Sequence, residues 1–218
     1  DGDGVLQLAP IIVDTTFVPS IPWKLDGVRW QYSNAPFAVN DLGYISHAVD
    51  VDDVSAVMGE PVYLITDQGS NKVIAYSLSS GLLSWDYRSP GANYTLPTDA
   101  QLFEENNGGT VIRYVLITWK GTNVVTKITY DGKNRVWQYG VPSTSGIDDG
   151  FLNSPSDAEK IVGTPEVLIA DTGNKRVIIV DETRSADQGP VIWTYTGPDA
   201  AFSPVDVQYL NDPVLGEQ

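Results

Sequence analysis

Short runs of apolar, β-branched and aromatic residues, broken every few positions by glycine, asparagine, aspartate or proline, recur along the whole chain. The stretch between 151 and 197 is the clearest. Residues 157–161 predict a first strand, 167–170 a second, 176–180 a third and 191–195 a fourth. Asp171-Thr172-Gly173-Asn174 supplies a tight turn between the middle two, because glycine and asparagine tolerate positive φ. No window holds a sustained 3.6-residue apolar period, so almost no helix is predicted.

The pattern repeats. Tyr63-Leu64-Ile65-Thr66-Asp67-Gln68-Gly69 matches Val115-Leu116-Ile117-Thr118-Trp119-Lys120-Gly121, and both match Val167-Leu168-Ile169-Ala170-Asp171-Thr172-Gly173. The glycines at 69, 121 and 173 are spaced by two equal steps of 52, and Asn71, Asn123 and Asn174 follow them. A Trp-x-Tyr pair closes each unit: Trp30/Tyr32, Trp85/Tyr87, Trp137/Tyr139 and Trp193/Tyr195. A proline opens each: Pro36, Pro97, Pro155 and Pro204. Aspartate follows in Pro97-Thr98-Asp99-Ala100, Pro155-Ser156-Asp157-Ala158 and Pro204-Val205-Asp206-Val207, while Pro36-Phe37-Ala38-Val39 reads as a degenerate copy. Residues 49–60, rich in aspartate, are expected to form an enlarged loop. Four short antiparallel strands in a unit of about 52 residues make a β-propeller blade.

The chain ends set the predicted blade count. Residues 202–207 read as a first strand and 213–215 as the beginning of a second, where the sequence stops. The missing half stands at the other end: Ile11-Ile12-Val13-Asp14 repeats Ile178-Ile179-Val180-Asp181, and residues 28–32 supply a fourth strand. From just after Asp181 through Gln218, and on from Asp1 to Asp14, there are 51 residues, one blade period. The expectation is an all-β, single-domain, four-bladed β-propeller. Its shared blade comes from 203–218 with 1–32, and the others from about 33–87, 95–139 and 151–195. Such sharing removes a free sheet edge. The same count is met if a neighbouring molecule donates the amino-terminal strands, which makes self-association by strand exchange, up to a filament, a candidate mode of assembly. Residues 15–27 are the candidate hinge.

The wording Val167-Leu168-Ile169-Ala170-Asp171-Thr172-Gly173-Asn174-Lys175-Arg176-Val177-Ile178, followed later by Ile192-Trp193-Thr194-Tyr195, resembles NHL-type propeller repeats. It is also similar to quinoprotein-like repeats that end in a Trp-x-Tyr strand. The resemblance covers nearly the whole chain and is most specific at 151–197. It implies a propeller; repeats of this type serve lyases, lactonases and interaction modules. Those families usually carry six or more blades, against the four expected here. Four blades resemble the haemopexin-like architecture, whose inner strands also begin with an Asp-Ala pair, though nothing else follows that family.

Twenty-eight acidic against thirteen basic residues give a net charge of −15. A polyanion gains nothing from phosphates, so nucleic acid is excluded as a partner and anionic membranes are disfavoured. No apolar run reaches the ~20 residues of a bilayer-spanning helix. The absence of cysteine removes disulfides, thiolate metal sites and a cysteine nucleophile. Asp1 in place of methionine is what signal-peptide cleavage would leave, and Asn93-Tyr94-Thr95 fits an N-glycosylation acceptor. The expected location is extracellular or at the cell surface.

No catalytic or cofactor-binding residue is assigned. His47 is the single histidine, whereas NHL-type lyases hold their metals with several, and no Gly-x-Ser-x-Gly elbow accompanies it. It reads as a loop or blade-surface residue. Asp67, Asp171, Asn71, Asn123 and Asn174 read as turn residues that bond nearby backbone amides. The Trp-x-Tyr pairs read as packing between blades, with exposed sugar platforms as the alternative.

Asp99, Asp157 and Asp206 open innermost strands, where three carboxylates can point into one channel. Oxygen-only ligands suit Ca²⁺. The other reading is that each caps backbone amides of the neighbouring blade. Asp50/Asp52/Asp53 and Asp148/Asp149 depart from calcium-loop spacing and are expected in solvated loops. Function is expected to be non-catalytic: a structural, adhesion or self-assembling surface subunit, with itself, carbohydrate or a cell-surface protein as partner. The alternatives are a lectin-like propeller and a cation-dependent, lactonase-like hydrolase using the channel.

Overall fold

The structure, a computed structural model, describes residues 47–90, 93–199 and 201–209. Residues 11–14, the Trp30/Tyr32 pair and the degenerate copy at 36–39 lie outside the described residues.

Three consecutive four-stranded antiparallel sheets follow one another along the chain. The first comprises β1 (Ala48–Asp53), β2 (Val62–Asp67), β3 (Lys72–Ser77) and β4 (Leu82–Arg88), in that order. The second comprises β5 (Pro97–Asn107), β6 (Thr110–Trp119), β7 (Val124–Thr129) and β8 (Arg135–Tyr139). β9 (Asp157–Lys160), β10 (Glu166–Asp171), β11 (Arg176–Asp181) and β12 (Val191–Thr196) make the third. Each sheet is a blade, the first strands β1, β5 and β9 lie side by side, and the chain is an all-β propeller. The only α-helix among the described residues is the single turn α1 (Ser55–Met58).

Strand alternation decides which residues meet. On the first blade, Leu64, Val73 and Ala75 turn to one face and pack against Ala100, Val115 and Ile117 of the second. On the second blade, Leu116, Val125 and Phe103 turn the other way, onto Ile169, Ile178 and Val180 of the third. Each middle strand is thus largely apolar on both faces, which is why 115–117 and 167–170 are continuous apolar runs rather than alternating ones.

The turn after each second strand is a three-residue 3₁₀ turn, and the residue that adopts positive φ comes after it. That residue is Asn71 (φ 51°), Asn123 (φ 60°) or Lys175 (φ 55°). Asn174 is therefore not the equivalent of the other two asparagines. The repeated glycines serve space instead of φ. A Cβ on Gly173 would lie 2.5 Å from the Asn153 carbonyl oxygen, which accepts the Gly173 N–H at 2.8 Å. At Gly121 a Cβ would lie 2.9 Å from the Thr95 carbonyl.

The expected loop at 49–60 is corrected by the structure. Its first half is β1, the innermost strand of the first blade, and only α1 and its flanks form a connection. Val51 turns to an apolar cluster with Ile65 and Ile74, while Asp50 and Asp52 turn to the opposite face. An alternating Val-Asp strand has the charge content of a loop, and composition hid it.

Candidate functional site: the inner-strand carboxylates

Register places Asp50 opposite Thr66, Asp99 opposite Thr118 and Asp157 opposite Ala170. Thr66, Thr118 and Ala170 are matching positions of the repeat, so Asp50 is the first blade's counterpart of Asp99 and Asp157. The sequence spacing concealed this, because the hairpin between first and second strand has a different length in each blade.

These carboxylates link blade to blade in one direction. Asp50 accepts the Ala100 N–H. Asp99 accepts the Ala158 N–H at 3.4 Å, and Asp157 accepts the Val207 N–H at 2.6 Å. In each case the donor immediately follows the aspartate of the next unit. The capping role foreseen is present for Asp99 and Asp157, with Asp50 added, while Asp206 is exposed and precedes the Val207 donor. Residues 202–209 run beside the third blade without forming the strand expected at 202–207: the Pro204 carbonyl accepts from Thr172 Oγ1 at 2.7 Å, and the Tyr209 N–H donates to Glu159.

The arrangement concentrates like charge. One carboxylate oxygen from each of Asp50, Asp52 and Asp99 lies within 4.8 Å of the others. Burial, then the charge of Asp52, pushes Asp50 up to about 7. Burial, and after it hydrogen bonding to Asp206, brings Asp157 to about 7 against the opposing effect of the Val207 amide. Asp99 is held well above the usual carboxylate range by burial and then by Asp157, with which it shares a hydrogen bond. Burial and Asp206 raise Asp52, and burial raises Glu159. Among the described residues no lysine or arginine forms an ion pair with any of these groups.

Of the other acidic clusters, Asp148 and Asp149 are exposed loop residues, as expected. Asp53 is exposed too, and its carboxylate accepts the Ser55 N–H ahead of α1.

The repeat's Asp and Asn side chains hold longer connections than hairpin turns. Asp67 accepts the His47 N–H and Asp171 the Asn153 N–H, both at 2.8 Å, pinning the segment that leads into each blade's inner strand. His47 itself is exposed. Asn71 accepts the Leu96 N–H at 2.6 Å and Asn123 the Ser154 N–H at 2.8 Å, each reaching into the next blade. Asn174 instead donates to the Gly146 carbonyl and to Asp171, both at 2.7 Å.

Two Trp-x-Tyr pairs pack as expected. Trp85 stacks on Tyr130 of the second blade at 5.0 Å and donates its Nε1–H to that residue's carbonyl, while Tyr87 meets Trp119. Tyr139 is buried, and its hydroxyl accepts the Gly150 N–H. The third pair differs. Trp193 and Tyr195 are 47% and 45% exposed, touched at one edge by Phe202.

No family model and no curated protein sequence matches the chain. Among solved structures it is similar to the RRP9 WD40 repeats, at 9% identity over 69% of this chain and 39% of that one, with a TM-score of 0.46. It is similar to a protein of unknown function from Bacteroides caccae at 12% identity, over 62% and 45% of the two chains, with a TM-score of 0.42. A virginiamycin B lyase from Staphylococcus aureus aligns at 11% identity over 70% and 56%, with a TM-score of 0.38. The chain spans less than two thirds of the length of each.

Proposed function

We propose that this propeller is a non-catalytic structural subunit of an extracellular surface, whose fourth blade is completed by the amino-terminal segment of a neighbouring copy, so that copies join by exchanging that segment. The supporting observation is the uncovered aromatic pair on β12. In the first blade the matching Trp85 and Tyr87 are 6% and 5% exposed because the next blade covers them, whereas Trp193 and Tyr195 stand open. We assign that face to the fourth blade expected from residues 203–218 and 1–32, most of which lie outside the described residues. The repetition of Ile178-Ile179-Val180-Asp181 as Ile11-Ile12-Val13-Asp14 supports the assignment. Donated strands bring main-chain pairing and buried side chains together, which makes a durable contact. A head-to-tail donation that fails to close on itself yields a filament. The extracellular placement is supported by Asn93, exposed at the head of its acceptor triplet.

Light scattering on native, undenatured protein tests the reading. The expected result is a species well above the 23.7 kDa of one chain. Removal of residues 1–14 is expected to abolish it and lower the melting temperature, because the shared blade loses a strand. A single 23.7 kDa species at all concentrations overturns the assembly.

A further inference from the structure

We infer that Asp50, Asp52 and Asp99 hold a divalent cation of the calcium class on the propeller axis, beside the buried Thr66 and Thr118 hydroxyls. Three carboxylate oxygens from two adjacent inner strands converge within 4.8 Å, the separation that ligands of one ion require. Every donor is oxygen, the chemistry that selects a hard cation over zinc or copper.

The second observation is independent of the acids. Thr66 and Thr118 are 0% exposed, and their Oγ1 atoms have no hydrogen-bond partner. Buried hydroxyls are ordinarily bonded, so two orphans at equivalent positions call for an explanation. Directly opposed residues on paired strands share a sheet face, which puts Thr66 beside Asp50 and Thr118 beside Asp99. In the third blade, where the position opposite Asp157 is Ala170, no such orphan arises. An ion with its bound waters meets the unfilled needs of both groups at once: positive charge for the acids and lone pairs or protons for the hydroxyls.

Asp52 separates this role from the structural one. Asp50, Asp99 and Asp157 each bond a neighbouring blade's amide, whereas no hydrogen bond to the Asp52 carboxylate is present among the described residues. A side chain held half-buried among like charges without a cap is what a ligand looks like before its ion is counted.

The test uses the full chain stripped with EDTA at pH 7.5, with Ca²⁺ as the probe, in calorimetric titration and thermal melting. The expected result is one Ca²⁺ per chain and a melting temperature raised by roughly 5–10 °C at a hundredfold excess over Kd. Asp52→Asn is expected to weaken binding at least tenfold, while the metal-free variant melts at or above wild type because a repelling charge is gone. Asp148→Asn, in an exposed loop, keeps wild-type binding. Absence of both heat and thermal shift at millimolar Ca²⁺ overturns the site, as does Asp52→Asn binding Ca²⁺ like wild type. Neither outcome bears on whether copies of the chain assemble.

Discussion

Arg176 Nε meets the Asp171 carboxylate at 2.7 Å inside the third blade, with both side chains withdrawn from solvent. The same cross-strand position in the first blade holds Lys72 and Asp67, and in the second it holds Val124 and Trp119. One blade has thus exchanged a buried ion pair for an apolar pair, and the Trp119 indole bonds Thr126 in place of a charge. Breaking such a pair from one side strands a charge, at about 3–5 kcal/mol. Asp171→Ala is expected to cost that much in urea denaturation. Asp171→Ala with Arg176→Met is expected to cost less than the sum of the single changes. Additive costs would remove the ion pair from the account.

A second buried network joins the second and third blades. Lys127 reaches Glu105 at 2.7 Å and Glu182 at 3.1 Å, and Lys160, fully buried, reaches Glu182 at 2.9 Å. Lys127 also lies 4.5 Å from the centre of the Tyr114 ring. Lys127→Ala leaves two glutamates sharing one lysine. With Glu105 partly open to water, a loss of about 3 kcal/mol and a fall of roughly 6–12 °C in Tm are expected. A fall under 2 °C would show the network to be idle.

The inner-strand acids set an unusual pH response. Asp50 and Asp157 stand at about 7 in the folded chain, well above the ordinary carboxylate range. The folded state therefore holds protons that the unfolded chain releases, and stability falls as pH rises from about 4 through about 7. In EDTA, Tm is expected to be higher at pH 5 than at pH 8. Asp50→Asn, which keeps an oxygen for the Ala100 amide, is expected to flatten the difference. A Tm that climbs over this interval would contradict the burial of these groups.

Leu96 sits at φ 52° immediately before Pro97, with its N–H held by Asn71, itself at φ 51°. Left-handed backbone costs an ordinary side chain about 1–2 kcal/mol, and glycine nothing. Leu96 is 44% exposed, so little burial is lost on replacing it. Leu96→Gly is expected to be neutral or stabilising by up to about 1 kcal/mol, because glycine's extra unfolded entropy offsets part of the relief. Asn71→Ala is expected to cost about 1–2 kcal/mol, losing both the bond and an αL-tolerant residue. The two midpoints in urea, compared with wild type, decide the sign of each.

Strand positions in the third blade were legible almost residue by residue, because apolar runs there are bounded by strong turn formers at Asp171–Asn174. Ala48–Asp53 was not. A strand whose alternate positions are aspartates has the composition of a loop, and only pairing with β2 reveals it. Asp99 and Asp157 were found because proline marks their position. Asp50 has no such marker, and the register that aligns Asp52 with Gln101 and Glu159 of the other blades is set by strand pairing and not by spacing. Nor does a sequence distinguish Thr66 and Thr118 from ordinary core threonines, since an unsatisfied hydroxyl is a property of surroundings. The long reach of Asp67 and Asn71 escaped for a related reason: local bonding is the default for these side chains, and only the closeness of the next segment overrides it.

The inner-strand bonds run Asp50 to Ala100, Asp99 to Ala158 and Asp157 to Val207, each carboxylate serving the unit that follows. The second and third blades therefore each bring both a hook and an eye, and a copy spliced in between two such units would find both neighbours already equipped to receive it. This clasp is indifferent to how many units it joins. A ring built this way can change circumference by duplication without a new contact at its centre, and the number of blades must then be fixed by the wedge of aromatic side chains packed between them.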